Sequence, residues 1–165
     1  MSWIIREERA GDEAAIDALT RRSFTGHPYS DGDEQDVIAR LRADGDLLLS
    51  LVAERNGELI GQATYSRAIL SNGEQDWMVI GPIAVDPSCQ GEGIGRALME
   101  AGETALKAQG AKGVTALGDP QLYSRFGYLQ HTAMTLDGEL GEYLQVKSFG
   151  AQIPAATLTY APAFG

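Results

Sequence analysis

Residues 81–96 read Gly-Pro-Ile-Ala-Val-Asp-Pro-Ser-Cys-Gln-Gly-Glu-Gly-Ile-Gly-Arg, and this stretch decides the fold. Its first part, apolar up to Val85, is typical of a buried strand, whereas its three alternating glycines indicate a loop. Apolar side chains then recur at positions 94, 98, 101, 105 and 108, which predicts an amphipathic helix from Ile94 to Gln109. Because a short strand is predicted at Val114–Leu117, strand, glycine loop, helix and strand form one βαβ crossover.

The glycine loop lies where a helix can bind an anion. The first backbone N–H groups of a helix have no acceptor within the helix, and the helix dipole makes their surroundings positive. Glycines lack side chains, so a diphosphate can approach those N–H groups directly. Arg96 could add positive charge, whereas Glu92 is unfavourable there unless its carboxylate points to solvent.

Three kinds of phosphate-binding loop compete for this pattern. A nucleoside-triphosphatase loop requires Gly-Lys followed by Ser or Thr, but Gly95 is followed by Arg96 and Ala97, so this alternative fails. A dinucleotide-binding fingerprint requires a glycine where Arg96 stands, and the residues after Asp119 are too few for the second half of that fold. A dinucleotide-binding domain is therefore a remote alternative. The third pattern, Gln-x-x-Gly-x-Gly at residues 90–95, fits.

The remaining sequence predicts a mixed order of helices and strands. Helices are expected after Asp12, after a capping box at residues 31–34, and at Gln121–Phe126 before Gly127. Strands are expected at Trp3–Arg9, Leu47–Glu54, Leu59–Ile69, Gln75–Val85, Thr132–Leu136, Glu142–Val146 and Ala156–Tyr160. Because the first half is largely antiparallel, we expect an α+β fold in a single domain over residues 1–165.

Composition excludes several classes of protein. The chain has 165 residues, of which 13 are basic and 23 acidic, for a formal net charge of −10. Such an acidic chain is unsuited to general binding of nucleic acid, and no apolar run approaches the ~20 residues that span a bilayer. Cys89 is the single cysteine and the first residues lack a secretion signal. We therefore expect a cytoplasmic protein without a membrane span or a bound metal.

Three segments together resemble the GNAT superfamily of acetyl-CoA-dependent N-acetyltransferases, in particular a branch of small bacterial-type enzymes. They are Gly81–Pro87, the loop Gln90–Gly95 and Tyr123–Tyr128, in the order and at separations that suit the family. The resemblance implies a mixed, mostly antiparallel central sheet with two splayed strands and flanking helices. It also implies transfer of an acetyl group from acetyl-CoA to a primary amine of a small molecule or peptide. A non-catalytic acyl-CoA-binding or sensor module is the alternative.

The same resemblance implies where acetyl-CoA binds. The pantetheine arm would fill the gap between the splayed strands like an additional strand, and the loop amides would hold the diphosphate. The implied cofactor-binding residues are Ile83, Ala84, Val85, Gln90, Gly91, Glu92, Gly93, Ile94, Gly95, Arg96 and Tyr123. Many relatives have an asparagine before the short helix, whereas this chain has Leu-Gly-Asp-Pro at residues 117–120, so a hydrogen bond from that asparagine is not expected. Relatives often form homodimers, which the resemblance therefore allows here.

Direct attack of an amine on a thioester requires a general acid, a base and a donor to the carbonyl oxygen, and the sequence offers candidates for each. By resemblance, Tyr123 is the general acid that protonates the leaving thiolate, and a partly buried core tyrosine is the alternative. The amine must lose a proton, and the candidate bases are Glu54, Glu74 and Asp76, each competing with a solvated charge at a strand end. A main-chain N–H of residues 83–85 could stabilise the carbonyl oxygen.

The acceptor amine is the part that the sequence determines least. Four acidic residues near the predicted start of the second helix could attract a cationic amine; they are Asp31, Asp33, Glu34 and Asp36. A capped and solvated helix start is the alternative interpretation of the same residues.

Overall fold

The computed structural model describes residues 2–28 and 30–165, and the chain divides into two compact units. The first unit comprises Met1–Tyr65 and Gly81–Gly102, and the second comprises Ser66–Ile80 and Glu103–Gly165. The single domain over residues 1–165 stays a prediction. In chain order the helices and strands are β1 (Ile4–Glu7), α1 (Glu13–Phe24), α2 (Glu34–Asp44), β2 (Leu47–Arg55), β3 (Glu58–Arg67), β4 (Ile69–Leu70), β5 (Trp77–Val85), α3 (Ile94–Ala108), β6 (Gly113–Leu117), α4 (Pro120–Tyr123), β7 (Met134–Thr135), β8 (Leu144–Ser148) and β9 (Ala156–Thr159).

In the first unit, β1, β2 and β3 lie side by side in that order. β1 pairs with β2 antiparallel, with Ile4 opposite Glu54. Asn56 and Gly57 connect β2 to β3 with φ angles of 52° and 79°. Positive φ at both central residues is what a tight two-residue hairpin requires, and Asn-Gly is the residue pair that favours it.

Apolar side chains of α1 and α2 pack against these strands to form the core of the first unit. The buried cluster consists of Ile16, Leu19, Ile38, Val52, Leu59 and Ala84. Val37, Ile38 and Leu41 lie on one face of α2, and all three are buried. This core places α1 and α2 beside the end of β5, from which the glycine loop starts.

Both predicted helix caps differ from the structure. Asp12 precedes α1, but its carboxylate accepts hydrogen bonds from the Arg6 guanidinium at 2.8 and 3.2 Å. These hydrogen bonds hold the pKa of Asp12 below its ordinary value. A charged guanidinium is a stronger partner than a neutral N–H, which is why Asp12 pairs with it instead of capping the helix. Among the described residues, Asp33 also makes no side-chain cap at α2, where Ser30 Oγ donates to Glu34 at 2.7 Å.

The buried face of α3 departs from the predicted stripe after its second turn. Ile94 and Leu98 are buried as expected, but the face continues through Gly102 and Leu106, and Ala108 is exposed. The large side chains of Ile94, Leu98 and Leu106 are separated by multiples of four residues, and they determine which face is buried. The small alanines at 101, 105 and 108 do not. The helix itself is confirmed, since it begins at Ile94 as predicted.

Gly102 is required for the close approach of α3 to Tyr65. A Cβ atom at residue 102 would clash with the hydroxyl oxygen of Tyr65, which is fully buried. We expect Gly102→Ala to lower the free energy of unfolding by about 1–3 kcal/mol, because overpacking outweighs the better helix propensity of alanine. Urea denaturation measures this change.

Gly95→Ala in the same helix is the matched control for Gly102→Ala. The nearest atom to a Cβ at residue 95 is Val85 Cγ2 at 3.8 Å, an ordinary van der Waals distance. The control should be as stable as the wild type or slightly more stable. Equal stability of both variants would contradict the packing described here.

The second unit contains parallel and antiparallel pairings. β5 pairs with β6 in parallel from Trp77 opposite Gly113 to Val79 opposite Thr115, although β5 continues to Val85. β6 pairs with β8 antiparallel, and β9 pairs with β4 antiparallel and with β7 in parallel. The α+β class is confirmed, and β5, α3 and β6 form the predicted crossover.

Trp77 is the largest side chain in the core of the second unit. It is fully buried, and its Nε1 donates a hydrogen bond to Glu74 at 2.6 Å. β5 begins at Trp77 rather than at the predicted Gln75, because Asp76 has a φ of 72°, outside the region of extended backbone. The buried residues packed around it are Ala68, Leu70, Val79, Met134, Leu144, Val146, Ala156 and Leu158.

The late strands occur where the sequence predicts them but with different bounds. Only Met134–Thr135 of the predicted Thr132–Leu136 is strand. A 3₁₀ helix occupies Glu139–Tyr143, so β8 begins at Leu144 rather than at Glu142.

Candidate functional site

Asp86 anchors the segment that follows β5. Its N–H donates to the carbonyl oxygen of Ile60 at 2.8 Å. Its carboxylate accepts from the Ser88 N–H at 3.0 Å, from Ser88 Oγ at 2.8 Å and from Arg22 at 3.0 Å. Burial alone would raise the pKa of Asp86, but these hydrogen bonds outweigh burial and hold the pKa below its ordinary value. The charged carboxylate therefore fixes the chain just before the glycine loop.

Asp86→Asn is expected to lower the free energy of unfolding by about 1 kcal/mol at neutral pH. Because the pKa of Asp86 is lower in the folded than in the unfolded chain, its stabilisation is complete above the unfolded pKa and is lost as pH falls through the folded pKa. Urea denaturation should therefore give a wild-type advantage that is constant above about pH 5 and shrinks as the pH falls from about 5 to about 2.

Asp44→Asn is the matched control for Asp86→Asn. Asp44 pairs with Arg40 at 3.3 Å, and both side chains are exposed. An exposed pair of this kind contributes less than about 0.5 kcal/mol. An advantage of wild type over Asp86→Asn that stays constant across the pH range would contradict the role given to the carboxylate.

The glycine loop presents an open surface of backbone. Gly91 and Gly93 both have φ of 85°, and no atom lies within 4 Å of where a Cβ would be at either residue. The Gly93 carbonyl accepts the first helical hydrogen bond, from Ala97 N–H at 3.0 Å. The N–H groups of residues 94–96 thus belong to the first turn of α3 and have no acceptor within the helix. The arrangement is suited to an anion.

Ile94 holds the start of α3 in place. Its side chain is 1% exposed, and its Cγ2 lies 2.8 Å from where a Cβ of Gly61 would be, so β3 accepts the helix only because residue 61 is glycine. Asp86 before the loop and Ile94 after it therefore restrict the loop from both sides. Gln90 and Arg96 are exposed, and Arg96 lies 3.8 Å from Glu100.

The strand residues predicted to contact the cofactor alternate in burial. Ala84 is in the core, whereas Ile83 and Val85 are half-buried. The carbonyl oxygen of Val85 accepts a hydrogen bond from Ser23 Oγ at 3.1 Å, a contact between α1 and β5 that the sequence does not reveal.

Glu92 is an exposed residue, but its carboxylate is paired rather than left to solvent alone. Its carboxylate accepts a hydrogen bond from Arg55 Nη1 at 2.8 Å, and Arg55 Nη2 also donates to the sulfur of Cys89 at 3.2 Å. The bond to Glu92 raises the pKa of Arg55 above its ordinary value, so the guanidinium stays charged. Sequence reasoning missed Arg55 because it lies on β2, far from the loop along the chain.

Tyr123 lies at the end of α4 in the second unit. Asp119 caps this helix by accepting from the Gln121 N–H at 2.9 Å. The Tyr123 ring is half-buried and meets the Tyr128 ring edge-on, with centroids 5.3 Å apart. Burial raises the pKa of Tyr123, so the phenol is neutral and a proton donor at neutral pH.

Gly118 makes room for the Tyr123 ring. A Cβ at residue 118 would lie 3.0 Å from Tyr123 Cδ2 and closer still to Cε2. The Gly118 carbonyl accepts a hydrogen bond at 2.8 Å from the amide of Gln145, which is buried in β8. The sequence does not reveal this contact, because Gln145 is distant along the chain.

The three candidate bases each have a structural partner or an exposed position. Glu54 accepts hydrogen bonds from Arg6 at 2.9 and 3.3 Å. Glu74 accepts from Trp77 and lies 3.9 Å from Lys112. Asp76 is exposed. Their catalytic roles stay predictions.

Two further properties concern the described part of the chain as a whole. No helix within residues 2–28 and 30–165 combines the length and apolar character needed to cross a bilayer. In the same residues, no group of three or more His, Cys, Asp or Glu side chains is arranged to hold a metal ion.

Known proteins are similar to this chain in sequence and in fold. Residues 13–128 match the model of the acetyltransferase (GNAT) family. Over 126 residues the chain is 40% identical to YhbS of Escherichia coli strain K12, described as an uncharacterized N-acetyltransferase, and the aligned part is 76% of this chain and 72% of that protein.

Two solved structures are similar over nearly the whole chain. A GNAT family acetyltransferase from Brucella melitensis, in complex with acetyl-CoA, has a TM-score of 0.89 and 35% identity, covering 99% of both chains. YhbS from Escherichia coli, in complex with CoA, has a TM-score of 0.87 and 33% identity, covering 98% of this chain and 91% of that one.

Proposed function

The chain belongs to the acetyltransferase (GNAT) family, and on this basis we propose the reaction that it catalyses and the residues that carry it. It is an acyltransferase with acetyl-CoA as the acetyl donor. The acceptor is a primary amine of a small molecule or peptide. The nitrogen lone pair forms a bond to the thioester carbon, the carbon–sulfur bond breaks, and the products are an N-acetylated amine and free CoA.

The observation that carries this proposal is the backbone of the glycine loop. Gly91 and Gly93 leave open space where side chains would otherwise stand, and the first turn of a 15-residue helix follows directly. The N–H groups between Gly91 and Arg96 hold the diphosphate of CoA, because they are donors without helical acceptors at the positive end of the helix dipole. Ile83 and Val85 offer main-chain groups to the pantetheine arm.

Proton transfers complete the reaction. Tyr123 donates its phenolic proton to the departing thiolate, which its raised pKa supports because the phenol stays protonated at neutral pH. A main-chain N–H of residues 83–85 stabilises the negative charge that grows on the carbonyl oxygen. One carboxylate among Glu54, Glu74 and Asp76 accepts the proton of the amine, directly or through water.

Release of free thiol from acetyl-CoA in the presence of a panel of primary amines tests the function. Thiol release that depends on an amine, with a mass increase of one acetyl group on that amine, is the expected result. Tight binding of CoA with no amine-dependent release across small amines and peptides would favour the non-catalytic binding module instead.

Three further properties of the protein belong to the proposal. The negative charges of Asp31, Asp33, Glu34 and Asp36 attract a cationic acceptor. A cytoplasmic location is supported by the single free thiol of Cys89, which suits a reducing compartment. A homodimer is supported by the family resemblance alone.

A further inference from the structure

We propose that Arg55 is a positioning residue of the glycine loop, where it neutralises Glu92 so that an anionic cofactor can approach. The inference rests on the proposed function, because it takes the approaching anion to be the diphosphate of CoA. It adds a residue outside the Gln-x-x-Gly-x-Gly pattern to the machinery that holds the cofactor.

The need for such a residue follows from the position of Glu92. This residue lies between Gly91 and Gly93, so the loop carries a full negative charge among the N–H groups that face the anion. A carboxylate beside a diphosphate opposes binding unless an opposite charge compensates it. The loop sequence contains Arg96, but Arg96 lies beside Glu100 on the surface of α3.

Arg55 meets this need with both ends of its guanidinium. Nη1 donates to Glu92 Oε1 at 2.8 Å and Nη2 to Oε2 at 3.5 Å, which turns the carboxylate toward β2. Nη2 also reaches the sulfur of buried Cys89 at 3.2 Å. One side chain therefore contacts the segment before the loop and the middle of the loop, from the end of a strand that is fixed in the sheet.

The pair is placed to act on binding rather than on folding. The side chains of Arg55 and Glu92 are 23% and 28% exposed, so water screens their mutual attraction. Pairs at such exposure contribute little to stability, and loss of one shifts Tm by at most about 4 °C in a chain of this size. When Arg55 is removed, the negative charge of Glu92 nevertheless remains in the loop. That charge then repels the incoming anion.

Three variants and CoA titration calorimetry test the proposal. R55Q should weaken CoA binding about fivefold or more, because Glu92 is then uncompensated. E92Q should tighten CoA binding about two- to fivefold, because Arg55 then adds an unpaired positive charge near the loop. The R55Q/E92Q double variant should return to within about twofold of wild type, since neither charge remains. R40Q, which removes the exposed Arg40–Asp44 pair of α2, is the matched control and should bind CoA as wild type does.

The dependence of CoA affinity on ionic strength distinguishes charge compensation from a purely structural role of Arg55, because a structural role would not depend on salt. The loss in R55Q should be largest near 0.01 M salt, where the Debye length is about 30 Å, and should shrink near 1 M salt, where it is about 3 Å. If wild type binds CoA and R55Q binds it equally well, the inference is wrong while the proposed function stands. A double variant as weak as R55Q would also overturn the inference, because charge compensation would not explain the loss. If wild type itself binds no CoA, the proposed function fails first.

Discussion

Replacing Tyr123 by Phe is expected to lower kcat at least about tenfold, because a general acid typically contributes about 10²- to 10⁴-fold to the rate. The hydroxyl group is the only group lost, and the ring that packs against Gly118 and Tyr128 is kept. Because the thiolate must then leave without a proton from the protein, the chemical step slows. Binding of CoA should stay within about twofold of wild type, since the loop amides that hold the diphosphate are unchanged.

The measurement is steady-state turnover at saturating acetyl-CoA and amine, together with CoA titration of each protein. Tyr143→Phe is the matched control, since Tyr143 is a surface tyrosine with 42% exposure and no proposed catalytic role. The control should keep kcat within about twofold. Equal kcat for Tyr123→Phe and wild type at saturating substrates would remove Tyr123 from the mechanism.

Gly93→Ala is expected to raise the Kd for CoA about tenfold or more, because the methyl group occupies the surface that the diphosphate approaches. The substitution also strains the backbone, since the φ of 85° costs a non-glycine residue about 1–2 kcal/mol. The strain alone lowers stability, so the binding effect has to be separated from it.

Gly73→Ala separates the two effects. Gly73 has a φ of 79° and no atom within 4 Å of its absent Cβ, which matches Gly93 in both respects, but it lies in the turn after β4. Thermal unfolding should give similar losses for the two variants, whereas calorimetry should find weakened CoA binding only in Gly93→Ala. Equal CoA affinity of both variants would contradict the role given to the loop.

Local patterns explain why much of the fold could be predicted. The hairpin at Asn56-Gly57, the start of α3 at Ile94 and the crossover from β5 to β6 each depend on a few neighbouring residues. The glycine loop is local in the same sense, because three glycines and a helix start stand together in the sequence. These features carry the family resemblance, and the resemblance in turn implied the cofactor.

Features that depend on distant partners could not be predicted. Asp12 caps no helix because its carboxylate accepts hydrogen bonds from Arg6, and the Glu92 carboxylate is paired because Arg55 reaches it from β2. The ring of Tyr123 leaves no room for a side chain at Gly118, and only the folded chain brings the two residues together. The buried face of α3 differs from the predicted one for a related reason. Gly102 is buried because it lies against Tyr65, and the apolar pattern of the helix alone does not predict that contact. Each error follows from a tertiary contact that outweighs a local preference.

A crystal structure of this chain with bound CoA would show which atoms hold the diphosphate. We expect diphosphate oxygens within about 3.2 Å of backbone nitrogens between Gly91 and Arg96. A diphosphate bound elsewhere on the protein, with these nitrogens left to solvent, would contradict the proposed role of the glycine loop.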